Sequence, residues 1–263
     1  MKKLLASDLD GTLIFNGKIS DDDIESIARL RKENNIFGVS TGRPYNGVSF
    51  LTRDYGIEID FYVLLNGTLV LDKNLNVLKH EKIPFNIVEN IFYEYKDCSL
   101  FGIDQGYETS ILLGDSFYIW DNIHIRTIDD LRDKECSLIS IDFSNKSPDV
   151  VEKICENINN KFSGSLVTYR NLSFIDIVPF GCSKGDGVNI ISENLNIDKD
   201  NVYVIGDSFN DLSMFSITKN SFSFSNADEK IKNSVKYKVD SVSECINKYI
   251  LGEVFWVLII KYT

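Results

Sequence analysis

No stretch of this sequence approaches the ~20 consecutive apolar residues that a membrane-spanning helix needs; its longest apolar run, Val254 to Ile260, has seven. Clusters of Lys and Arg are missing as well. With 28 basic residues against 39 acidic and a formal charge of −11, the chain is poorly suited to nucleic acid, where affinity comes from clustered cations, or to an anionic membrane surface. Neither partner is expected. The five cysteines (Cys98, Cys136, Cys155, Cys182, Cys245) are odd in number, scattered and never in a C-x-x-C pair, which argues against a disulfide framework or a zinc site. There is no G-x-x-x-x-G-K-[ST] phosphate loop, no internal repeat and no low-complexity stretch. Met1 to Ala6 begins like a signal peptide, but Asp8 and Asp10 interrupt it too early. The expectation is a cytoplasmic protein with reduced thiols, in which the N-x-S/T matches at Asn66, Asn145 and Asn171 carry no information.

What is present is a globular composition, 43% apolar and 25% charged over 263 residues, enough for two domains or one large one. The opening third alternates strand and helix signals. Leu4 to Ser7 reads as a strand, and Ser20 caps an acidic first turn (Asp21, Asp22, Asp23) before a helix through Leu30. Ile36 to Ser40 is a second strand, after which Pro44 opens a helix predicted to stop at Gly56. Phe61 to Leu65 is a third strand, and Asn66-Gly67 a hairpin signal leading into Thr68 to Leu71. This alternation predicts an α/β fold with a mostly parallel sheet covered on both faces.

From Ile83 to Cys182 the texture changes. Helical patterns (Phe85 to Tyr95, Pro148 to Phe162) mix with strand-like runs such as Ser137 to Phe143, Ser165 to Tyr169 and Phe174 to Val178. Residues 83–182 hold 8 basic and 16 acidic residues, a net of −8 out of the −11. Such a block predicts an inserted second domain. The first texture then returns with a helix from Lys184 to Asn194, a strand Val202 to Ile205, and Gly206-Asp207-Ser208-Phe209-Asn210-Asp211.

Asp8-Leu9-Asp10-Gly11-Thr12 directly follows the first strand. Alternate residues of a strand point the same way, so both carboxylates can face one site at the carboxyl end of the sheet, where open α/β sheets bind ligands. One Asp can attack phosphorus; the other can protonate the leaving oxygen and later deprotonate water. Asp-Gly is also common in solvated turns. Mg²⁺ prefers one or two carboxylates plus waters and phosphate oxygens, and Asp8, the Asp10 carbonyl and Asp207 would supply such a site, with Asp211 holding a metal-bound water or Lys184. Alone, the second acidic motif also reads as a helix N-cap with Asp207 as the capping residue. Thr41 offers a hydroxyl and an amide at a helix start, suited to phosphate oxygen or to plain capping. Lys184, at a helix N-terminus, opposes the macrodipole, a misfit that points to function.

Taken in order, Asp8-x-Asp10-Gly11-Thr12, Ser40-Thr41-Gly42-Arg43-Pro44, Asn66-Gly67, Ser183-Lys184-Gly185, Gly206-Asp207-x-x-Asn210-Asp211 and Ser225-Asn226-Ala227 resemble the haloacid dehalogenase-like (HAD) superfamily, and within it the Cof-type (IIB) phosphatases, from residue 2 to about 240. The resemblance implies a Rossmann-like parallel core over 1–82 and 183–263 and an inserted α+β cap of the C2B type over 83–182. It implies Asp8 as nucleophile and metal ligand, and Asp10 as general acid/base. Thr41 and Lys184 would position the phosphoryl group, Asp207 would be the third metal contact, and Asn210 and Asp211 would arrange the outer shell. Gly42, Arg43 and Asn66 are implied around the substrate entrance. Two departures stand out: residues 252–263 carry an apolar run that could pack on the sheet, join two subunits or be an atypical end, and Ser225 replaces the usual glycine before Asn226-Ala227.

The expectation is a Mg²⁺-dependent phosphatase of a small phosphorylated metabolite, such as a sugar phosphate, acting as a monomer or weak homodimer. A phosphomutase using the same aspartates, or a catalytically silent metabolite-binding protein, stays open as an alternative. Dehalogenation leaves Asp10 without a role. Arg170, in the segment Tyr169 to Phe174, is a candidate cap contact.

Overall fold

The computed structural model describes residues 1–115 and 120–252, so the apolar run Val254 to Ile260 lies outside the described residues. Three short strands, β1 (Leu4–Ser7), β2 (Ile36–Ser40) and β3 (Phe61–Leu64), are buried at every position. Strands buried on both faces belong in the interior of a parallel sheet. Between the first two runs α1 (Asp21–Lys32), whose cap Ser20 accepts from Asp23 N–H at 3.1 Å. Its acidic first turn complements the helix dipole.

The helix expected from Pro44 to Gly56 is broken. A 3₁₀ turn at Tyr45–Gly47 is followed by the short α2 (Phe50–Tyr55), which ends, as expected, on Gly56 in the left-handed conformation (φ 66°). The reason is tertiary: Tyr45 N–H donates to Gly106 O at 3.0 Å and Asn46 Nδ2 donates to Asp121 O at 2.8 Å, so this segment serves the inserted block rather than a helix.

β3 turns through Leu65, Asn66 and Gly67, all at positive φ, into β4 (Leu69–Asp72) and then β5 (Val77–His80). The inserted segment contributes α3 (Phe85–Tyr95), β6 (Leu100–Asp104), β7 (Thr109–Leu113), β8 (Asn122–His124), β9 (Leu138–Asp142), α4 (Pro148–Lys161), β10 (Leu166–Asn171) and β11 (Phe174–Pro179). Then come α5 (Lys184–Asn194), β12 (Val202–Ile205), β13 (Asn220–Phe224) and β14 (Tyr237–Val239).

Two sheets result. The first has the order β14-β13-β12-β1-β2-β3-β4-β5, parallel from β14 to β3, with β4 and β5 antiparallel at the edge. Alternation along β1 sends Leu5 to the α1 side, with Ile27 and Leu30, and Leu4 and Ala6 to the α5 side, with Val188 and Ile191. The second sheet, β10-β11-β9-β6-β7-β8, is antiparallel except for β7 and β8. It packs its own core, in which Phe101, Ile103, Ile139 and Ile141 meet Val151, Ile154 and Ile158 of α4. Both faces of the first sheet are covered, as the alternation predicted. Where Ser225 replaces glycine, Ala227 N–H closes a turn on Phe224 O at 3.1 Å with no positive φ from 225 to 227, so no glycine is required. Among the described residues no helix is long and apolar enough to cross a membrane.

Ile141 is fully buried in the second core. Ile141→Ala is expected to cost about 2–5 kcal/mol of stability, measured by denaturant unfolding.

Candidate active site

The carboxyl ends of β1, β2, β3 and β12 bring the sequence motifs to one end of the first sheet. Asp8 follows β1 directly, and its N–H still donates to Ile205 O at 3.0 Å. The chain then doubles back: Ile14 N–H reaches Leu9 O at 2.7 Å and Gly11 N–H reaches Ile14 O at 3.1 Å. Gly11 sits at φ 82°, and a Cβ there would lie 2.5 Å from Asp207 Oδ2. Both the left-handed backbone and the close approach of the second acidic motif require glycine.

At the centre, Lys184 Nζ donates to Asp8 Oδ1 at 2.7 Å and to Asp211 Oδ1 at 2.6 Å. All three side chains are buried, with Lys184 1% and Asp211 0% exposed. Ser183 caps α5 by accepting from Asp186 N–H at 3.0 Å, which fixes Lys184 as the first helical residue and turns it inward. Asp207 joins from the end of β12, where Thr12 Oγ1 donates to its Oδ1 at 2.7 Å.

The cap of the turn after β12 is not Asp207 but Ser208, in a capping box with Asp211. Asp211 Oδ2 accepts from Asp207 N–H at 3.0 Å and Ser208 N–H at 2.9 Å. Asp207's own carboxylate is thereby left to the site. Asp8, Asp207 and Asp211 can place one oxygen each within 4.8 Å of one another.

Asp8 and Asp211 share one ammonium, with the Asp207 carboxylate beside them. Burial, opposed by Lys184 and reinforced by Asp211 and Asp207, holds Asp8 well above the usual carboxylate range. Burial also raises Asp207. Burial alone would pull Lys184 down, but Asp211 and Asp8 outweigh it and raise it. The cluster is thus short of positive charge. An all-oxygen donor set of this kind suits a hard divalent cation, so the residues fit a bound metal.

Asp10 reaches the same cleft but stands outside the cluster. Its side chain is 57% exposed, and Arg43 clasps it with Nε to Oδ2 at 2.8 Å and Nη2 to Oδ1 at 2.5 Å. Arg43, expected beside the substrate entrance, thus spends its fork on Asp10. Thr41 departs from expectation too: its N–H donates to Val63 O at 2.9 Å, and no α-helix starts there. The residue therefore offers the cleft its hydroxyl, which accepts from Arg43 N–H at 3.2 Å, rather than its amide.

Asn210 Nδ2 donates to Asn66 Oδ1 at 3.2 Å, and Asn66 Nδ2 donates to Asp176 Oδ2 at 2.9 Å. Gly42 lies against the same pair, since a Cβ there would sit 3.3 Å from Asp176 Oδ2. Arg170, the candidate cap contact, is not in the cleft; it pairs with Glu152 and donates to Leu172 O at 2.9 Å. Its neighbours Asn171 and Phe174 line the cleft instead. Asp104, Trp120, Ser140 and Asp176 line it too and were not singled out from sequence. The available signal was an acid inside an apolar strand, as in Phe174-Ile175-Asp176-Ile177-Val178.

This cleft has a volume of about 310 Å³ between the two sheets. A larger cavity, about 640 Å³, opens at the amino-terminal end of the first sheet near Lys2, Arg31 and Asp60. None of the motif residues lines it, and Arg31 is spent on Asp60 and Glu58; the motif residues gather at the smaller cleft.

Residues 5–248 match the haloacid dehalogenase-like hydrolases. The chain belongs to that family. As a HAD-like hydrolase it falls in the phosphoric monoester hydrolase class that the motifs predicted. It is 21% identical to an HMP-PP phosphatase of Escherichia coli over 94% of this chain and 93% of the other. Among solved structures it resembles a haloacid dehalogenase-like hydrolase from Bacteroides thetaiotaomicron, with TM-score 0.80, 20% identity and coverage of 94% and 99%. It also resembles the HAD subclass IIB sugar phosphatase BT4131, with TM-score 0.78, 20% identity and coverage of 92% and 95%. These likenesses bear out the expected α/β fold.

Gly11→Ala is expected to cost about 1–2 kcal/mol from the left-handed backbone alone, read by denaturant unfolding, and to displace Asp207. Asp104 yields a pH prediction. Burial, eased by the Thr109 hydroxyl and reinforced by Asp176, pushes its carboxyl up to about 7. An acid raised by folding stabilises the protein while it is neutral, so its contribution is full below the unfolded value of about 4 and is lost as pH rises through about 7. Asp104→Asn is expected to flatten the decline in stability between pH 4 and 7, measured by denaturant midpoints across that range.

Proposed function

We propose that the chain is a Mg²⁺-dependent phosphatase of a small phosphorylated metabolite, most simply a sugar phosphate, working through an aspartyl-phosphate on Asp8. In this reading residues 1–82 and 183–263 are the catalytic core and 83–182 a substrate-selecting cap. The observation that carries it is the pairing of two different carboxylates in one cleft. Asp8 is buried against Lys184 at 2.7 Å, while Asp10, two residues on, is exposed to the cleft and oriented by Arg43.

Asp8 attacks phosphorus, and the bond from phosphorus to the ester oxygen breaks as Asp10 gives that oxygen its proton. Water then attacks the same phosphorus, returning a proton to Asp10 and freeing Asp8. Lys184 and the Thr41 hydroxyl offset charge on the phosphoryl oxygens, the effect that dominates such transfers. Mg²⁺ held by Asp8, the Asp10 carbonyl and Asp207, with Asp211 behind them, would supply further positive charge there.

The selectivity reading rests on the cap side of the cleft. Asp104, Ser140, Asn171 and Asp176 offer acceptors, and Trp120 and Phe174 offer ring faces. Such a lining suits a leaving group that carries hydroxyls. Small phosphorylated substrates are also supported by the relatives, one called an HMP-PP phosphatase and the other a sugar phosphatase. The cysteines, all five unpaired, support a reducing cytoplasm.

Phosphate release from a panel of sugar phosphates tests this reading. Turnover is expected to require Mg²⁺ and to vanish on chelation. Asp10→Ala is expected to lower it by about 100- to 10,000-fold. Asp8→Asn is expected to abolish it, and near wild-type turnover by that variant would overturn the mechanism.

A further inference from the structure

We propose that Trp120 of the inserted segment is a positioning residue for the acid–base carboxylate of Asp10. It acts through Arg43, so that the acid is set for proton transfer when the inserted unit rests on the core. The inference rests on the phosphatase reading above and assigns a role to a residue outside the sequence motifs.

Asp10 is the exposed carboxylate of the site, so its orientation has to be imposed on it. Arg43 imposes it with two bonds, at 2.8 and 2.5 Å, a fork that a carboxylate accepts in one plane. The fork is in turn held on three sides. Nη1 donates to Gly47 O at 3.0 Å, the Phe50 ring lies 5.7 Å from the guanidinium carbon, and the Trp120 ring closes the stack at 5.3 Å. A guanidinium over an indole face is attracted by the ring's charge distribution, and most strongly where water is excluded. The Arg43 side chain is only 9% exposed.

Of these three supports, only Trp120 comes from the inserted segment. Its ring is fixed there by Nε1–H donating to Thr109 Oγ1 at 2.9 Å, and the Thr109 hydroxyl donates to the buried Asp104. It is seated on the core by its neighbours: Asp121 O accepts from Asn46 Nδ2 at 2.8 Å and Gly106 O accepts from Tyr45 N–H at 3.0 Å. A Cβ on residue 47 would lie 3.0 Å from the Trp120 ring. Docking of the inserted segment and clamping of Arg43 are therefore one event.

The chemical consequence is specific. When Asp10 protonates the departing ester oxygen it becomes a carboxylate, the form that the Arg43 fork binds with both nitrogens. A loosened fork leaves this charge less well held. That penalty is largest when the leaving group needs the proton most and smallest for a leaving group that departs readily as an anion.

The test is a series of para-substituted phenyl phosphates, from nitro to methoxy, assayed with Mg²⁺ for wild type, Trp120→Leu, Trp120→Phe and Arg43→Lys. Ring size is constant along the series, and kcat/KM reports the steps through departure of the leaving group. Trp120→Leu is expected to lower kcat/KM by about 10-fold or more for the methoxy compound and by less than about 3-fold for the nitro compound. Trp120→Phe, which keeps a ring over Arg43 but loses the bond to Thr109, is expected to steepen the series less than Trp120→Leu does. Arg43→Lys, which keeps the charge without the fork, is expected to reproduce the steepening and does so even if Trp120→Leu fails to fold. An equal loss along the series, or no loss, in Trp120→Leu and Arg43→Lys overturns the inference while leaving the phosphatase reading intact. A wild type that hydrolyses none of the series, nor any sugar phosphate, overturns the reading itself and the inference with it.

Discussion

The site is organised by one buried ammonium. Lys184 lies between Asp8 and Asp211 at 2.7 and 2.6 Å, and its position fixes where the other groups stand. Burying such charges is expensive, and the attraction between them repays the cost only when the geometry is good and the remaining oxygens are satisfied. For Asp211 they are: its second oxygen accepts from the Asp207 and Ser208 amides. The lysine occupies the end of α5 that the helix dipole disfavours. That placement is tolerable because two carboxylates face it, and three acids around one lysine leave room for the charge of a divalent cation.

Around this centre the two sheets meet through polar contacts and through Leu138 and Val178 of the inserted segment, which join the apolar core of the first sheet. The chain Asn210–Asn66–Asp176 crosses from the turn after β12, through the hairpin after β3, to β11 of the inserted segment. The 45–47 turn and the His80–Ser137 contact make further crossings. The hydrophobic residues of the inserted segment pack mainly among themselves. Much of the acidity, −8 of −11, is concentrated in that segment. In the proposed reading an anionic substrate is met locally by Lys184 and by the metal that the carboxylates would hold, rather than by the sum over the chain.

Much of this was legible in the sequence for a clear physical reason. Strands of a parallel sheet are buried on both faces and end where function begins, so Asp8, Thr41, Asn66 and Asp207 could be placed at strand ends from local pattern alone. The pattern failed where a residue's role depends on a distant partner. Pro44 to Gly56 has helical composition, yet Tyr45 and Asn46 are claimed by the inserted segment. Thr41 reads as a phosphate cradle, yet β3 takes its amide. Taken alone, Asp207 could also be read as a cap, an alternative that falls to Ser208. Asp104 and Asp176 were not legible because strand periodicity tells which face a residue occupies, not what lies opposite it, and Trp120 lies outside any strand.

The most direct measurement of the central claim is rapid chemical quench during turnover, followed by mass spectrometry of the peptide that contains Asp8. The expected result is the added mass of one phosphoryl group on Asp8, formed and lost at rates compatible with turnover. Turnover with the phosphoryl group on another residue, or with no covalent phosphoryl group at any quench time, would contradict it.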